Sequence, residues 1–333
     1  MALAIMTLGV ACGCDGYRRL PEDAPDVVLD EDAQEPEPRR DAGRDAARDA
    51  ADGAPEVLDC EPGFVAADSE CVKQPRTIAA NLQITCAVLA DGKLVCWGEA
   101  WDTGLLSVPN GTFRQVTVGN GHACAVRTND EIVCWGANNH GQAEAAPGKF
   151  QEISAGGAHT CALGLDGSVR CWGDDDYGQA SPPPKRFRQI SAGVLNTCGL
   201  VDDGSIDCWG KNASGQSEDQ SGKFLEVEAR GLTSCAIESD GKVACWGHDR
   251  FVPPSGAFVS LSQGEFHICG VRRDGKVACA PSEEEQAVPP PGIFQQVAGG
   301  VSHTCGVRRN GSVECWGSNE YGQLLIPAGI RVK

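Results

Sequence analysis

The cysteines carry the clearest chemical signal in this chain. There are 18, and the last 14 form seven pairs that share one spacing, with nine residues inside each pair. Zinc sites favour about two to four residues between ligands, so this spacing predicts disulfides and, with them, an oxidising compartment. The alternative is seven pairs of reduced, buried thiols. The predicted disulfides are Cys60–Cys71, Cys86–Cys96, Cys124–Cys134, Cys161–Cys171, Cys198–Cys208, Cys235–Cys245, Cys269–Cys279 and Cys305–Cys315.

Two further cysteines follow an apolar N-terminal stretch, Met1–Ala11. The stretch resembles the end of a bacterial lipoprotein signal, in which a cysteine becomes the lipidated first residue. The sequence around Cys12 fits that pattern loosely, the sequence around Cys14 fits it no better, and a positively charged segment before it is missing. We therefore predict lipidation at Cys12 or Cys14. A plain secretory signal and an apolar terminus without a targeting role are the alternatives.

Histidines, tryptophans and aspartates recur at fixed places relative to the cysteines. His122, His159, His267 and His303 lie two residues before a first cysteine, and a tryptophan follows most second cysteines. Residues fixed by repeat position favour packing and hydrogen bonding between repeats over a metal ring or acid–base chemistry. The sequence contains no recognisable nucleophile motif and no phosphate-binding glycine loop. It therefore predicts no catalytic residue, no metal, no cofactor and no enzyme activity.

Each cysteine pair flanks a turn, and the spacing fits a β-hairpin. A two-residue turn would place Cys161 opposite Trp172. A three-residue loop with Gly167 in the left-handed region instead places Cys161 opposite Cys171, on a non-hydrogen-bonded pair with Cα atoms about 4.5 Å apart. That geometry suits a cross-strand disulfide. Six of the seven repeats have glycine at this turn position, and Asp130 is the exception.

The chain from about Pro75 to Lys333 repeats itself seven times, with a period of 34 to 38 residues. Self-similarity at this period predicts a solenoid or a propeller. Residues 153–179 follow [IV]-S-A-G-x-x-H-T-C-A-L-x-x-D-G-x-V-x-C-W-G-x-N-x-x-G-Q nearly throughout, and 116–142 and 297–323 follow it well. This pattern resembles the short-repeat, disulfide-containing branch of the regulator of chromosome condensation family. The resemblance implies an all-β, seven-bladed β-propeller.

The two ends of the repeat region predict that the ring closes. Six repeats open with a phenylalanine, whereas the first repeat has Pro75 at that position. Residues 329–333 align with the opening of a further repeat. The C-terminal strand would therefore complete the first blade, and closure removes exposed strand edges. An open solenoid, the alternative, would need a cap at each end.

Composition divides the chain into four parts. Residues 1–14 are the lipoprotein-like signal, 15–59 a disordered acidic linker with 15 acidic residues and six Arg, 60–74 a small cysteine-bounded loop, and 75–333 the propeller. The net charge of −18 argues against binding nucleic acid or an anionic membrane by charge. No apolar stretch reaches the length of about 18 residues that a transmembrane helix needs. Membrane contact is expected only through the lipid anchor.

Binding residues are expected where the repeat breaks, because symmetric positions already have packing roles. The first, fifth and sixth repeats depart most from the pattern after the Trp-Gly pair. An acidic run in the third repeat is a further candidate, with calcium as a conceivable ligand; drift in tolerant loops is the alternative. The candidate binding residues are Trp101, Asp102, Asp174, Asp175, Asp176, Arg250, Phe251, Glu283, Glu284 and Glu285.

These observations favour a non-enzymatic binding or scaffold propeller, a monomer that is exported to the cell envelope or outside the cell and presents loops to a protein partner. A similar short-repeat propeller inhibits β-lactamases, so a secreted enzyme inhibitor is a second expectation. Guanine-nucleotide exchange, implied by the family name, is disfavoured by the acidity and the export signal. A propeller enzyme would need a convergent acid–base set, which the sequence lacks.

Overall fold

A computed structural model describes residues 64–67, 70–73, 76–101, 103–248, 252–281 and 285–333. In this part of the chain the strands form seven three-stranded antiparallel sheets and one two-stranded sheet, and a single 3-10 turn is present. All of them belong to the compact unit Pro55–Lys333. None of the described residues forms a helix with the length and apolar character needed to cross a membrane.

Each of the seven sheets is one blade, numbered in chain order. The strands are, in blade 1, β3 Ile78–Asn81, β4 Ile84–Val88 and β5 Leu94–Gly98; in blade 2, β6 Phe113–Val118, β7 His122–Arg127 and β8 Ile132–Gly136; in blade 3, β9 Phe150–Ala155, β10 His159–Gly164 and β11 Val169–Gly173; in blade 4, β12 Phe187–Ala192, β13 Asn196–Val201 and β14 Ile206–Gly210; in blade 5, β15 Phe224–Arg230, β16 Thr233–Glu238 and β17 Val243–Gly247; in blade 6, β18 Phe258–Gln263, β19 Ile268–Arg272 and β20 Val277–Ala280; in blade 7, β21 Phe294–Gly299, β22 His303–Arg308 and β23 Val313–Gly317. The 3-10 turn is Glu285–Ala287.

The hairpin between the second and third strands of each blade has the predicted register. Cys161 pairs with Cys171, and the Gly164 N–H donates to the Ser168 carbonyl at 2.7 Å, which closes a three-residue loop. Gly167 has φ 82°, and Asp130 adopts the same left-handed conformation with φ 70°. The spacing of the two cysteines and the left-handed turn residue together determine the register of the hairpin.

All seven predicted propeller disulfides are present, each across such a hairpin. Their Cα–Cα distances are 4.0 to 4.1 Å, slightly shorter than expected for a non-hydrogen-bonded pair. Each disulfide closes a short loop, for which chain entropy predicts about 2–3 kcal/mol of stabilisation. Every blade is thus cross-linked internally, and no described disulfide joins two blades.

The first strands of the blades form a closed inner ring, in which each contacts the next and β21 contacts β3. The opening phenylalanine of a blade also ties it to the blade before, because the Phe187 N–H donates to the Gly167 carbonyl at 2.8 Å. The hydrophobic clusters of the propeller lie between neighbouring blades. Cys161 and Leu163 of blade 3, for example, pack with Phe187 and Ile190 of blade 4. Buried hydrophobic contacts therefore hold neighbouring blades together.

The C-terminal segment closes the ring at the place the alignment predicts. The Val332 N–H donates to the Gly311 carbonyl of blade 7 at 2.9 Å, just as each opening phenylalanine donates to the hairpin turn of the blade before it. Val332 also bridges Leu89 of blade 1 and is only 3% exposed. The segment contributes this one bridged pair rather than a full strand, because β3 already supplies the rest of the inner edge.

The segment before the propeller forms a separate hairpin of β1, Phe64–Ala67, and β2, Glu70–Lys73. In its register Ala66 is opposite Cys71. Cys60 lies outside the described residues, as do Cys12 and Cys14. The Cys60–Cys71 disulfide, lipidation and the acidic linker therefore stay predictions.

Candidate protein-binding surface

The meander of each blade defines two opposite faces of the propeller. We call the end with the hairpin turns between second and third strands, such as 165–167, the hairpin face. The end with the Trp-Gly loops, such as 174–179, is the loop face. The first strand of each blade begins at the hairpin face and ends at the loop face, because neighbouring strands are antiparallel.

Trp101, in the Trp-Gly loop of blade 1, is an exposed aromatic on the loop face. Its side chain is 53% exposed, and its φ of 37° is in the left-handed region, which is uncommon for a residue with a side chain. Its ring meets Tyr321 of blade 7 edge to face, with centroids 6.1 Å apart. Tyr321 is itself 42% exposed. The two neighbouring loops thus present a paired aromatic surface.

Sequence reasoning missed Tyr321 because it stands at a regular repeat position. Tyr177 occupies the same position in blade 3, is also exposed, and lies under the Lys211 ammonium at 4.8 Å from its ring centroid. Leu106 and Leu325 are exposed beside the aromatic pair in sequence. Together, Trp101, Leu106, Tyr321 and Leu325 form what we call the aromatic patch.

The acidic run of blade 3 is used within its own loop. Asp174 accepts hydrogen bonds from Gln179 Nε2 at 2.9 Å and from the Asp176 N–H at 3.2 Å. Asp175 accepts from the Ala180 N–H at 2.8 Å and from the Ser181 hydroxyl at 2.6 Å. Across the described ranges, no group of three or more acidic, histidine or cysteine side chains could hold a metal ion.

Six other candidate residues lie wholly or partly outside the described part of the chain. Asp102, Arg250, Phe251, Glu283 and Glu284 lie outside the described residues. Glu285 is described by its backbone alone, as the first residue of the 3-10 turn. These six residues remain predictions.

Four histidines connect neighbouring blades, as their repeat position predicted. Nε2 of His122 lies 2.8 Å from Thr160 Oγ1 of the next blade, and His159 is placed in the same way against Thr197. His267 and His303 make equivalent contacts with Thr304 and Thr85. Blade 4 uses Asn196 instead, whose Nδ2 donates to the Ser234 hydroxyl at 3.3 Å.

The hydrogen-bond network defines the protonation of these histidines. Thr160 Oγ1 donates to the Gln142 carbonyl at 3.0 Å, so it can only accept from His122 Nε2. The Nε2 atom of His122 therefore carries a hydrogen. Burial lowers the pKa of His122, His159 and His303 to about 4 and that of His267 to about 3. Neutral, buried and bonded at one nitrogen, they are structural groups.

The tryptophans that follow the second cysteines also join adjacent parts of the chain. The indole N–H of Trp172 donates to the Gln142 carbonyl at 2.9 Å, and that of Trp209 donates to the Gln179 carbonyl at 2.9 Å. Trp209 is 8% exposed. Trp172 is partly buried and packs against the hydrophobic cluster between blades 2 and 3.

Glycine at the end of the first strand is required by the histidine that follows or, in blade 4, by Asn196. A Cβ on Gly156 would lie 2.3 Å from both the Gly193 carbonyl oxygen and His159 Cε1. Blades 1 and 5 have no histidine here and carry Asn81 and Arg230 in place of the glycine. A side chain is tolerated only in these two blades.

Those two blades are linked across the central channel. The Arg76 guanidinium of blade 1 donates to Glu228 Oε2 and to Glu226 Oε1 of blade 5, both at 3.1 Å. At the loop-face end, Arg230 Nη2 of blade 5 donates to Asn81 Oδ1 of blade 1. Burial lowers the pKa of Arg230 to about 10, which keeps it charged at neutral pH.

The channel is too small for an organic ligand. All seven first strands line it, and its volume is about 60 Å³, compared with about 300 Å³ or more for ordinary small-molecule pockets. The Arg76 and Arg230 bridges cross this narrow space. We therefore look for a binding surface on the two outer faces of the propeller.

Comparison with known proteins identifies the repeat. The sequence profile of the regulator of chromosome condensation (RCC1) repeat matches residues 113–142, 150–179, 187–216 and 294–323. These ranges are in blades 2, 3, 4 and 7. The blades without a match are those in which the repeat pattern breaks. No curated protein sequence matches the chain significantly.

Solved structures share the fold. The CRINKLY WD40 ectodomain of the Arabidopsis thaliana receptor kinase ACR4 is 27% identical, with a TM-score of 0.61 over 72% of this chain and 96% of that one. The ectodomain of the Physcomitrella patens receptor kinase CR4 is 25% identical, with a TM-score of 0.61 over 73% of each chain. Human WBSCR16 is 16% identical, with a TM-score of 0.58 over 71% of this chain and 87% of that one.

The fold and the repeat together define a seven-bladed β-propeller with one disulfide in each blade. Four of its blades match the profile of the regulator of chromosome condensation (RCC1) repeat. This fold is typical of a protein-interaction scaffold, and its seven disulfides indicate an oxidising environment.

Proposed function

We propose that the protein is an exported, lipid-anchored monomeric scaffold that binds another protein through its loop face. The aromatic patch carries this proposal. Aromatic side chains that remain half exposed on a rigid framework are the residue type that anchors protein interfaces. The two plant propellers that are 27% and 25% identical to this chain are receptor ectodomains, which supports an extracytoplasmic location.

Rigidity is the physical basis of the proposed binding. The closed inner ring, the blade disulfides and the cross-channel bridges hold the loops of the loop face in fixed positions. A preorganised surface loses little conformational freedom when it binds. Such a scaffold needs no catalytic residue, which agrees with the structural roles of the buried histidines.

Substitutions at the aromatic patch test the proposal. A photo-crosslinker at Leu325, which is 67% exposed, captures the partner in the cell envelope for identification. We expect Trp101→Ala or Tyr321→Ala to weaken binding of that purified partner by about 1–3 kcal/mol in a titration. Leu165→Ala is the matched control, because Leu165 is 59% exposed on the hairpin face. An equal loss with Leu165→Ala, or none with the aromatic variants, contradicts the proposal.

The anchor has its own test. The lipidated protein should enter the detergent phase, and replacing Cys12 and Cys14 with alanine should move it to the aqueous phase. Unchanged partitioning of the double variant would rule out an acyl anchor at these cysteines. The loop-face proposal does not depend on this result.

A further inference from the structure

Basic side chains are concentrated at the hairpin face of the propeller, where turn aspartates accompany many of them, whereas the loop face is mainly acidic. The loop face carries acidic side chains in the Trp-Gly loops and near the channel mouth, namely Glu99, Glu144, Asp174, Asp175, Asp176, Glu218, Glu265 and Glu320. The hairpin face carries basic side chains in its turns and at nearby strand ends, namely Lys93, Arg127, Lys149, Arg186, Lys223, Lys242, Arg272, Arg273, Lys276, Arg308, Arg309, Arg331 and Lys333. The net negative charge of the whole chain conceals this division.

Many hairpin-face cations are neutralised by the aspartate of a turn. Lys242 Nζ lies 2.6 Å from Asp240, and Lys93 Nζ lies 3.0 Å from Asp91. In these blades the turn adds little net positive charge. A positively charged surface is therefore expected only at blades in which basic side chains outnumber the carboxylates of the turn.

Blades 6 and 7 and the C-terminal segment differ from this balance. Arg273, Arg309, Arg331 and Lys333 are exposed, and no side-chain carboxylate of the described residues forms an ion pair with them within 4.0 Å. We call these four residues the basic patch. In blade 7 the turn aspartate is replaced by Asn310, which caps the turn by accepting the Ser312 N–H at 3.0 Å. The turn keeps its shape and loses its negative charge.

The basic patch is continuous around the ring. Blades 6 and 7 are neighbours, and the C-terminal segment lies on blade 7 through the Val332 N–H and on blade 1 through the Arg331 carbonyl, which accepts the Ala90 N–H at 2.8 Å. Ile293, 36% exposed, precedes the opening strand of blade 7 at the same face. The patch is thus a set of cations at the tips of adjacent turns, not the lining of a cleft.

We propose that the basic patch lies against the anionic headgroups of a membrane, with the loop face turned away from the lipid. Long basic side chains on neighbouring turn tips suit a flat, multiply charged surface, and each cation near such a surface contributes to attraction. The propeller also starts at this face, because Arg76 lies just before β3 and β3 begins at the hairpin face. The acidic loop face would be repelled by the same lipids, so charge orients the propeller.

Vesicle binding by unacylated protein tests this inference separately from the anchor. The full chain with Cys12→Ala and Cys14→Ala is sedimented with vesicles of phosphatidylcholine alone, or with about 30% phosphatidylglycerol added. We expect at least tenfold stronger partitioning to the anionic vesicles at low salt, and its loss at high salt because screening weakens surface attraction. Equal partitioning to both vesicles overturns the proposal.

Two charge variants locate the contact. Arg273→Gln, Arg309→Gln and Arg331→Gln together remove three positive charges from the basic patch and should reduce binding at least tenfold. Lys211→Gln, Asn139→Asp and Ala213→Glu change the net charge equally on the loop face and should not. A similar loss in both variants, or binding of polyglutamate but not of anionic vesicles, overturns the proposal. Either result leaves the loop-face proposal intact, because the two proposals use opposite faces.

Discussion

The buried histidines make the stability of the propeller depend on pH, and His159 shows by how much. Its side chain is fully buried, and burial lowers its pKa from 6.5 to about 4. Between these two values the unfolded chain binds the proton and the folded chain does not, so the free energy of unfolding decreases as pH falls. The stabilisation is complete above pH 6.5. At pH 5 the loss for this one histidine is about 2 kcal/mol.

The protein itself supplies the control variant. Asn196 occupies the position of His159 in the next blade and bonds the following hydroxyl, so His159→Asn should fold and lose its share of the pH dependence. Urea unfolding followed by tryptophan fluorescence at about pH 7.5 and about pH 5 measures the difference. The variant should lose about 2 kcal/mol less than the parent on acidification. The converse variant, Asn196→His, should lose about 2 kcal/mol more.

Equal losses of stability on acidification by His159→Asn and the parent would refute a contribution of the buried imidazole to the pH dependence. That result would mean that the pH dependence comes from the carboxylates alone and that the buried imidazole accepts a proton without cost. A variant that is less stable than the parent by the same amount at both pH values would give this refuting result and would show a packing defect in addition.

Three further changes test the ring and its cross-links. Val332→Asp should lower the free energy of unfolding by at least about 2 kcal/mol, because it buries an unpaired charge where the ring closes; melting at the parent temperature would show that closure does not need this residue. Replacing Cys161 and Cys171 with alanine should cost about 2–3 kcal/mol in urea unfolding, and a reduced parent should lose more than this variant. Trp209→Ala should cost about 3–5 kcal/mol, and a melting curve like that of Trp101→Ala would place both rings at the surface.

The parts of the fold that the sequence predicted are local or repeated. The Cys161–Cys171 pair spans ten residues, and a single glycine selects the loop that aligns the two sulfurs. Ring closure followed from alignment of the C-terminal segment with the opening of a repeat. Both inferences depend on patterns within a single repeat. These patterns could be read with assurance because they recur in the seven repeats of the chain.

The contacts that the sequence did not predict depend on closure of the ring. Arg76 and Glu228 are 152 residues apart, and only a closed ring of seven blades brings them across one channel. A signal for the other bridge existed, because Asn81 and Arg230 replace glycine at a position that is otherwise conserved between the repeats of this chain. The aromatic contact of Trp101 with Tyr321 joins two loops whose shapes no repeat rule specifies.

The hydrogen bonds between blades limit how such a protein can be rearranged. The donor His159 belongs to one repeat and its acceptor Thr197 to the next, whereas Ile84 of blade 1 precedes a blade with Ala123 at the acceptor position. A repeat moved next to an unlike neighbour, such as a copy of blade 2 with Ala123 placed after blade 3, therefore leaves a donor without its acceptor, and an unmatched buried polar group costs stability. A circular permutation keeps every pair. A gene duplication that adds a blade therefore keeps these hydrogen bonds only where the donor and the acceptor match at each new junction.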